Sequence, residues 1–562
     1  MNGAERICAT LVDLGTTVVF GLPGSQNVVL YESLRRSGLR SVTASDEGAA
    51  AFMAGGYARA SGQVGVLTTI PGPGFLYALP AIAEARDDSA PLLWLTLRQP
   101  PDSQAFPLQR IDQVGVARSL VKHCHFVARP EDLAPVLHLA WRQAMSGEPG
   151  PVLVEIDTAL LARDAPLSEV PADETDVPGL TPELLDRLRR ARRPLLWVGQ
   201  GAQGASNALR AFVHRWRVPV FSTCSGRGVV PDDDPHAIVA DFSFGVPAWV
   251  GRAIESADLL LVLGCKFTHN GSAGGRLHLP IDKLVRVDAS AEVLAANYPA
   301  QFGLRARTED FIASVMTTDL GVTEWTPSEI AKLRDLSVQE RAGPLEHEPT
   351  IIAPDTSDTH SLFDAMAGAL GHDVVYTTDA GLHQSLVRRY VHVTGARGLL
   401  CPSDFQSMGF GLPGAIGAAL ARPAATVVAC VGDGALMLSL GDLLTAAREG
   451  VDLIVIVFND GAYGLIRRQQ LTTFGHEHAT TLLNPDFAIL AQAIGCGYFS
   501  VANDGTAALR AAAASRGLRL VEVEFSSPTL LRRTAFRRVA QENVVRRVPT
   551  PALQWLKRML RS

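Results

Sequence analysis

The sequence predicts an α/β protein made of three doubly wound parallel-sheet domains. Short β-branched apolar runs alternate with Ala, Leu and Arg segments of helical period, which is the pattern of βαβ units. This alternation occurs three times along the 562 residues, a length that allows about three to five domains. Hydrophobic residues make up 47% and charged residues 19% of the chain, so each block can form a packed core.

The three blocks are separated by turn-rich, acidic breaks. The runs that bound them are expected to be strands: Val152–Asp157 ends the first block, Pro194–Gly201 and Lys283–Ser290 bound the second, and Val374–Gly381 and Leu520–Phe525 bound the third. The breaks after Leu161 and Gln339 are interpreted as linkers. The predicted domains are therefore 1–165, 185–335 and 355–530, followed by a basic tail at 531–562. The tail indicates either a solvated helix or lid, or contact with an anionic partner.

Composition excludes several classes of protein. The 51 Lys and Arg residues against 57 Asp and Glu give a net charge of −6, which does not indicate a nucleic-acid partner. The seven cysteines are scattered without a C-x-x-C pair, as in a reducing compartment. Glu5 and Asp13 interrupt the N-terminus, and the apolar stretch Gly411–Ala421 is shorter than the roughly 20 residues that cross a bilayer. We expect a soluble, cytoplasmic protein without a membrane partner.

The strongest chemical signal lies in the third block. The apolar run Thr426–Val431 leads to a Gly-Asp-Gly triplet centred on Asp433, and the run Leu453–Phe458 leads to an Asn-Asp-Gly triplet centred on Asp460. The two triplets are one strand–helix–strand repeat apart, so both carboxylates are expected at the same edge of the sheet. Such a pair suits a hard cation, and the glycines allow a phosphate to approach the backbone. A plain βαβ turn with helix-capping aspartates is the alternative that GDG alone leaves open.

This arrangement resembles that of the thiamine-diphosphate enzymes, in which GDG is followed by a pair of Asn residues. Here Asp460 stands in place of the second Asn. The resemblance implies Mg²⁺ held by Asp433, Asp460 and the backbone carbonyl of Ala462. TTDAGLHQS and QSMGFGLPGAIGAAL are similar to cofactor-binding stretches of acetolactate synthases. The resemblance implies contacts to thiamine diphosphate from Gly381, Leu382, His383, Gln406, Met408, Gly432, Gly434, Ala435 and Tyr463.

Two residues have specific roles in this resemblance. Met408 would lie under the cofactor and bend it, and ordinary core filling is the alternative. Glu47, in SDEGAAAFMAGGYARASGQVGV, stands at the family's activating carboxylate, which hydrogen-bonds N1′ of the aminopyrimidine and so promotes removal of the C2 proton. A helix cap or a first-turn charge is the alternative for Glu47. We expect burial to raise the pKa of Glu47.

The architecture of that family also implies the oligomer. Glu47 of the first block would reach a cofactor held by the third block of a second subunit. The resemblance therefore implies a homodimer or homotetramer with active sites at the subunit interface.

The resemblance covers nearly the whole chain and is nearest to acetolactate synthases. It places Gln109 at their active-site Gln. Two positions depart from them: Asn270 replaces the Arg that helps bind the second substrate, and Gln469 replaces a pocket Trp. Ser25 fits benzoylformate-type decarboxylases, in which a Ser contacts the substrate carboxylate, or else caps the following helix.

Other polar residues near these motifs leave alternatives open. His269, His476 and His478 are candidate proton donors or ordinary surface histidines. Arg467 or Arg468 could bind a second substrate carboxylate from another direction. The middle block resembles the domain that holds FAD in related enzymes, but the family's GMHG segment reads ADFSFG, so we expect no FAD. GLPGSQN lacks the G-x-G-x-x-G pattern of a nicotinamide dehydrogenase.

The sequence therefore predicts a thiamine-diphosphate-dependent lyase or transferase that decarboxylates a small-molecule 2-oxo acid. The loss of an Arg at Asn270 favours transfer of the acyl anion to an aldehyde or a larger carbonyl compound rather than to pyruvate. A true acetolactate synthase is the second candidate. A non-catalytic regulatory homologue is a further alternative, although it would have no need of Glu47, Asp433 and Asp460 together.

Overall fold

The computed structural model describes residues 1–99, 108–166, 179–240, 242, 245–343, 350–351, 353, 355–356 and 358–526. The predicted tail at 531–562 lies outside this part of the chain. No helix among the described residues is long and apolar enough to cross a membrane. The described residues form three open, largely parallel sheets, which confirms the predicted fold class.

The first sheet is parallel and has the strand order β2-β1-β3-β4-β6-β5. Its strands are β1 (Val18–Gly21), β2 (Arg40–Thr43), β3 (Gly65–Thr69), β4 (Leu92–Arg98), β5 (His123–Val127) and β6 (Pro151–Asp157). Its helices are α1 (Gly3–Asp13), α2 (Val28–Ser37), α3 (Glu47–Ser61), α4 (Pro73–Asp87), α5 (Gln113–Ala117) and α6 (Leu133–Met145). The chain leaves β1 in one direction and returns at β3 on the other side, which makes the ends of β1 and β3 the expected ligand crevice.

The central sheet is also parallel, with the order β12-β11-β10-β7-β8-β9. Its strands are β7 (Pro194–Val198), β8 (Val220–Ser222), β9 (Ala237–Val239), β10 (Leu259–Leu263), β11 (Leu284–Asp288) and β12 (Phe302–Arg305). Its helices are α7 (Pro182–Arg190), α8 (Ser206–Trp216), α9 (Ala248–Ser256), α10 (Ala291–Ala295), α11 (Thr308–Met316) and α12 (Pro327–Ala342). Read from the other edge, this is the strand order of a dinucleotide-binding fold.

The third sheet has the order β13-β19-β17-β16-β14-β15, and β18 also pairs with β19. Its strands are β13 (Thr350–Ile351), β14 (Val374–Thr378), β15 (Leu399–Leu400), β16 (Thr426–Gly432), β17 (Leu453–Asn459), β18 (Gly497–Ser500) and β19 (Leu518–Ser526). Its helices are α13 (Thr359–Leu370), α14 (Leu382–Tyr390), α15 (Gly411–Ala421), α16 (Asp433–Leu438), α17 (Asp442–Glu449), α18 (Gly464–Phe474), α19 (Phe487–Ile494) and α20 (Gly505–Ala514). The two-residue strand β13 is antiparallel to β19, whereas the sequence predicted a wholly parallel sheet.

Short 3₁₀ segments complete the described secondary structure. They are Pro130–Asp132, Thr158–Ala162, Gln200–Ala205, Cys224–Gly226, Asn270–Ser272 and Ile281–Lys283.

Each sheet is covered on both faces. In β16, Val427 and Ala429 belong to one apolar core, whereas Val428 and Cys430 belong to another. Neighbouring residues of a strand point to opposite faces, so this alternation shows that both faces are packed. Strands of the first and central sheets divide between two cores in the same way.

One apolar core is shared by the first and third domains. It includes α3 and α15, two helices that are apolar around most of their circumference and almost entirely buried. Glycines bring these two helices into backbone contact. A Cβ added at Gly56 would lie 2.1 Å from the carbonyl oxygen of Gly414, and one added at Gly417 would lie 2.0 Å from that of Met53. Any side chain at these positions would push the helices apart.

Two neighbouring glycines of α3 test this contact. We expect Gly56→Ala to lower the free energy of unfolding by about 1–3 kcal/mol, because the added methyl group overlaps backbone atoms of α15. Gly55→Ala is the matched control, since a Cβ there meets no atom within 4 Å. In a helix interior that change should be neutral or stabilising by up to about 1 kcal/mol. Thermal and denaturant unfolding of both variants give the comparison, and equal loss in both would contradict the proposed contact.

Candidate active site

The first part of the site is the loop that follows β1 at the crevice of the first sheet. Asn27, which is fully buried, closes this loop. Its Oδ1 accepts a hydrogen bond from the backbone N–H of Gly24 (2.7 Å), and its Nδ2 donates to the carbonyl of Leu22 (3.0 Å). Ser25 lies on the exposed side of the loop. The N-cap position of α2 belongs to Asn27, so Ser25 does not cap that helix.

Glu47 is the first residue of α3 and faces the same crevice. The cap of α3 is Asp46, whose carboxylate accepts the backbone N–H of Ala49 at 2.9 Å. The Glu47 carboxyl is therefore not used for capping. It is only 6% exposed and lies against the turn after β3, where a Cβ on Gly74 would come within 2.3 Å of Glu47 Oε1. Burial raises the pKa of Glu47, and the charge of Asp46 adds to this effect.

Gln109 joins the loops around this crevice. Its Oε1 accepts a hydrogen bond from Gln26 Nε2, next to Ser25. Its backbone has φ = +57° and packs on the turn after β3, where a Cβ on Gly72 would lie 2.7 Å from the Gln109 carbonyl oxygen. Gly72 itself has φ = +68°, a conformation that favours glycine. Ser25, Glu47 and Gln109 are thus brought to one edge of the first sheet, as predicted for its ligand crevice.

Gln113 is a residue of this edge that the sequence analysis missed. Its side chain is buried and donates to Glu155 Oε1 at 2.7 Å and to the Leu97 carbonyl at 2.9 Å. Its Oε1 accepts the backbone N–H of Gly72 at 3.3 Å. It therefore holds the Gly72 turn against β4 and β6. In the sequence it is one Gln among polar neighbours, and nothing local distinguishes it.

The second part of the site is a pair of carboxylates in the third domain. Asp433 follows β16 and Asp460 follows β17, as the motif predicted. Asp433 is 2% exposed, and Oδ2 of Asp460 is buried without a hydrogen-bond partner. Burial raises the pKa of Asp460 to about 6, with the charge of Asp433 as the next cause, and burial also raises the pKa of Asp433. Two buried carboxylates that repel each other are a natural site for a cation.

Backbone and amide groups hold this pair in place. The backbone N–H of Gly434 donates to Asp433 Oδ1 (2.8 Å), and that of Gly461 donates to Asn459 Oδ1 (3.3 Å). Asn484 donates from Nδ2 to Asp433 Oδ2 (2.7 Å) and to Asn459 Oδ1 (2.9 Å). The Oδ1 of Asn484 is buried without a partner, so this side chain still has an acceptor to offer. The sequence analysis missed Asn484, because an Asn before Pro and a capped helix is an ordinary turn signal.

Two side-chain rings lie against the glycines beside this pair, at the carboxyl end of β16. A Cβ on Gly434 would lie 2.9 Å from the ring of Tyr463, and one on Gly432 would lie 3.0 Å from the ring of His383. His383 is 4% exposed, stacks on Phe458 and has no partner at Nε2. Burial lowers the pKa of His383 to about 3, so its imidazole is neutral at physiological pH.

Three further residues that were predicted to contact the cofactor lie at the same edge of the third sheet. Gly381, with φ = +148°, is the N-cap of α14 and adjoins the His383 ring. The side chain of Leu382 is 5% exposed and belongs to the core of the third domain, so only its backbone can face a ligand. Ala435 is buried in α16, two residues after Asp433.

Met408 lies in the segment that leads into α15. Its side chain is 37% exposed, which is not the behaviour of a core-filling methionine. Gln406 has φ = +58°, and its Nε2 donates to the Ser403 carbonyl at 3.3 Å. Met408 is thus available to a ligand on the side of the third domain.

The remaining candidate residues either are exposed or already form hydrogen bonds or ion pairs within the chain. His269, His476, His478 and Gln469 are exposed. Arg467 pairs with Glu477 (2.8 Å) and lies 3.4 Å from the carbonyl oxygens of Asp460 and Gly461. Asn270 donates from Nδ2 to the Ser403 carbonyl at 2.5 Å, so it ties the central domain to the third.

Comparison with known proteins agrees with this arrangement. Sequence models of three domains match the chain: Thiamine pyrophosphate enzyme, N-terminal TPP binding domain (residues 1–116), central domain (182–315) and C-terminal TPP binding domain (379–523). The chain belongs to the thiamine pyrophosphate enzyme family. The first and last matches contain the crevice at Glu47 and the carboxylate pair, respectively.

Relatives of this thiamine pyrophosphate enzyme include several acetolactate synthases. The acetolactate synthase isozyme 2 large subunit of Escherichia coli K12 is 30% identical over 505 residues, which are 88% of this chain and 90% of that protein. A probable acetolactate synthase large subunit of Methanocaldococcus jannaschii is 27% identical over 519 residues, 88% of this chain and 86% of that one. Isozyme 1 of E. coli is 29% identical over 483 residues, 84% of this chain and 83% of that one. The protein is an acetolactate synthase-like thiamine pyrophosphate enzyme.

The residues of this thiamine pyrophosphate enzyme fit both the cofactor and a divalent cation. The described residues contain no group of three or more His, Cys, Asp or Glu side chains that could bind a metal. Asp433 and Asp460 would therefore share the cation with the Ala462 carbonyl and with oxygen atoms of the diphosphate. The unpartnered Oδ2 of Asp460 and Nε2 of His383 are the buried polar atoms that such ligands would satisfy.

Repulsion between Asp433 and Asp460 should lower the stability of the thiamine pyrophosphate enzyme when a chelator keeps it free of metal. The raised pKa of Asp460 means that its stabilising contribution is present below the ordinary pKa near 4 and lost as pH rises through about 6. At a pH of about 7.5 the repulsion between the two carboxylates destabilises the metal-free protein. Asp460→Asn removes this repulsion, so we expect it to raise the melting temperature of the metal-free protein by about 2–4 °C. The same variant should keep much of the rise that Mg²⁺ and thiamine diphosphate cause together, because an Asn oxygen can still bind the cation, whereas Asp460→Ala, which removes the ligand, should lose most of it.

The exposed Asp335 of α12 supplies the control. Asp335→Asn removes the same charge far from the carboxylate pair and should change neither value. Differential scanning fluorimetry with and without chelator measures both. A metal-free Asp460→Asn protein no more stable than the wild type, together with a full cofactor response in Asp460→Ala, would show that the pair is not a cation site.

Proposed function

We propose that the protein decarboxylates a 2-oxo acid with thiamine diphosphate and Mg²⁺ and joins the remaining acyl unit to a second carbonyl compound. The observation that carries this proposal is the combination of two half-sites in one chain. Glu47 is a buried carboxyl that capping does not use, and Asp433 and Asp460 are two carboxylates that repel each other and have no ion pair with the described residues. A binding protein without chemistry to perform would gain nothing from three such acids.

The chain's own residues have distinct tasks in this proposal. Asp433, Asp460 and the Ala462 carbonyl would hold Mg²⁺, and Gly432 and Gly434 would admit the diphosphate. Thiamine diphosphate supplies a nucleophilic carbon and an electron sink for the negative charge left when CO₂ departs. Met408 and Gln406 would support the cofactor from the segment before α15.

Proton handling falls to the first domain. Glu47, whose pKa burial raises, is the carboxyl that would exchange a proton with N1′ of the aminopyrimidine. Gln109 and Ser25, which border the same crevice, are positioned to bind the polar end of a substrate. Their hydrogen-bonding groups are neutral, which suits a carbonyl or a carboxylate approached from solvent.

The acceptor follows from the cationic side chains near the third-domain half-site. A buried second carboxylate requires a cationic partner. Asn270 is uncharged and is engaged with Ser403, Arg467 is paired with Glu477, and Arg468, the other candidate, also has an interaction within the chain. These contacts favour an aldehyde or a larger carbonyl compound over pyruvate as acceptor. The names of the relatives favour acetolactate synthase as the second candidate.

The proposal includes a homodimer or homotetramer. Large apolar side chains are exposed next to both half-sites, up to 96% for Leu483. In the first domain they are Val28, Val29, Leu76, Tyr77 and Leu108, and in the third they are Met437, Leu438, Ile466, Leu483 and Ile489. Patches of this kind are typical of subunit interfaces. A second copy would cover them and bring Glu47 of one chain to the carboxylate pair of the other.

The proposal does not include FAD. Part of the ADFSFG segment, residues 241, 243 and 244, lies outside the described residues. Ala240 and Phe242 of that segment line a cavity of only about 10 Å³, together with Arg227 and Asn270. A cavity of that size is about the minimum for one water molecule, whereas cofactor pockets usually measure about 300–1,000 Å³. The replacement of the family's GMHG segment by ADFSFG is the ground on which FAD is left out of the proposal.

Glu47 can be tested against its neighbour. We expect Glu47→Gln to bind thiamine diphosphate and Mg²⁺ but to lower the rate of C2 proton exchange by about 10²–10⁴-fold, because an amide cannot exchange a proton at N1′. Asp46→Asn is the matched control, since Asn caps a helix as well as Asp does. It should exchange at close to the wild-type rate. Proton NMR after acid quench follows the exchange, and wild-type exchange in Glu47→Gln would sink the assigned role.

A panel of substrates tests the reaction class. We expect CO₂ release from at least one 2-oxo acid, dependent on thiamine diphosphate and a divalent cation, and a new C–C bonded product when an aldehyde is added. The absence of CO₂ release across aliphatic and aromatic 2-oxo acids would contradict the proposal. Formation of acetolactate from pyruvate alone at rates on the order of 1–100 per second would make the second candidate correct.

A further inference from the structure

The segment that carries Met408 has an unusual backbone. Gln406 has φ = +58° and Gly409 has φ = +93°, so residues 406–409 turn sharply before α15 begins. Conformations of this kind are held by their surroundings rather than by local preference. The contacts that hold the segment therefore fix where Met408 lies.

Asp379, at the end of β14, makes the first of these contacts. Its Oδ1 and Oδ2 accept the backbone N–H of Gly409 at 3.0 and 3.1 Å, and Oδ2 also accepts that of Gly411 at 2.7 Å. A third N–H, from Ala380, reaches Oδ1 at 2.8 Å. Asp379 is completely buried, and burial raises its pKa to about 6. A buried carboxyl with three N–H partners holds the backbone that surrounds it.

Glu84 makes the second contact, and it comes from α4 of the first domain. Its Oε2 accepts the backbone N–H of Ser407 at 2.7 Å, and its side chain is 2% exposed. Burial, together with the charge of Asp88, raises the pKa of Glu84 to about 8. Asp88 in turn pairs with Arg59 at 2.6 Å. The other oxygen, Oε1, is buried without a hydrogen-bond partner among the described residues, so the contact that ties Glu84 to the segment is the bond from the Ser407 N–H to Oε2.

We propose that Asp379 and Glu84 are positioning residues that hold the Met408 segment from two domains and so set the surface on which thiamine diphosphate is bent. This inference rests on the proposed function, because Met408 matters for chemistry only if the cofactor binds. Met408 has Ser407 on one side, bonded to Glu84, and Gly409 on the other, bonded to Asp379. A shift of either domain relative to the other would move the methionine.

The test compares variants that remove the hydrogen-bond acceptor of Asp379 or Glu84 with a variant that keeps it. Asp379→Asn replaces one of two accepting oxygens by an NH₂ group, which faces N–H donors and cannot accept them. Glu84→Met keeps the length of the side chain but removes the acceptor for Ser407. Glu84→Gln is the conservative variant, since its side-chain carbonyl can still accept the hydrogen bond from the Ser407 N–H.

Hydrogen-exchange mass spectrometry on the full chain measures the backbone directly, with peptides that cover residues 405–412. We expect exchange in this segment to become about 10- to 100-fold faster in Asp379→Asn and in Glu84→Met, and to stay near the wild-type rate in Glu84→Gln. Calorimetry in excess Mg²⁺ should show weaker binding of thiamine diphosphate, by about tenfold or more, in the two variants that loosen the segment.

Each result has a defined reading. Unchanged exchange in Asp379→Asn and Glu84→Met would overturn the proposal that these groups hold the segment. Faster exchange with unchanged cofactor affinity would overturn the positioning role. If Asp379→Asn does not fold, Glu84→Met against Glu84→Gln carries the same comparison. Failure of the wild-type protein to bind thiamine diphosphate would contradict the proposed function instead, and the exchange rates would still decide whether the two carboxyls hold the segment.

Discussion

The backbone contact between α3 and α15 is the constraint on which the rest of the site depends. Glu47 opens the first of these helices, and the Met408 segment leads directly into the second. Gly56 and Gly417 let the two helices touch without side chains between them. The relative position of the first and third domains is therefore fixed by residues that have no chemistry of their own. Glu47 and Met408 then lie at the starts of two helices whose relative position is already fixed.

Buried acids near this joint fall into two kinds, and their neighbours separate them. Asp379 accepts three backbone N–H groups and Glu84 accepts one, so both hold the backbone of the Met408 segment, although the second oxygen of Glu84 is buried without a partner in the described part of the chain. Asp433 and Asp460 instead repel each other, and one oxygen of Asp460 has no partner among the described residues. Mutual repulsion is what a cation between the two carboxylates would relieve.

The sequence predicted the parts of the site whose signal is local. Alternating apolar runs predicted the three sheets, and compact motifs predicted Glu47, Asp433 and Asp460. It did not predict Asp379, Glu84 or Asn484, because their partners lie 30, 323 and 51 residues away, respectively, and no periodicity marks them. The antiparallel β13 was also missed, since two residues are too few to show a strand pattern. For Leu382 the sequence resemblance implied a ligand contact, but its side chain is buried in the core of the third domain.

The tie made by Asn270 has a consequence for how this chain could have diverged from its relatives. Its amide reaches the Ser403 carbonyl, a few residues before Met408 and on the same strand-connecting segment as Asp404, which accepts the backbone N–H of Asn270 at 3.0 Å. An arginine at this position would exchange that interdomain bond for a charge. Position 270 and the loop at 403–404 are therefore joined by one backbone and one side-chain hydrogen bond. A substitution at position 270 acts on the segment before Met408 as well as on the local charge.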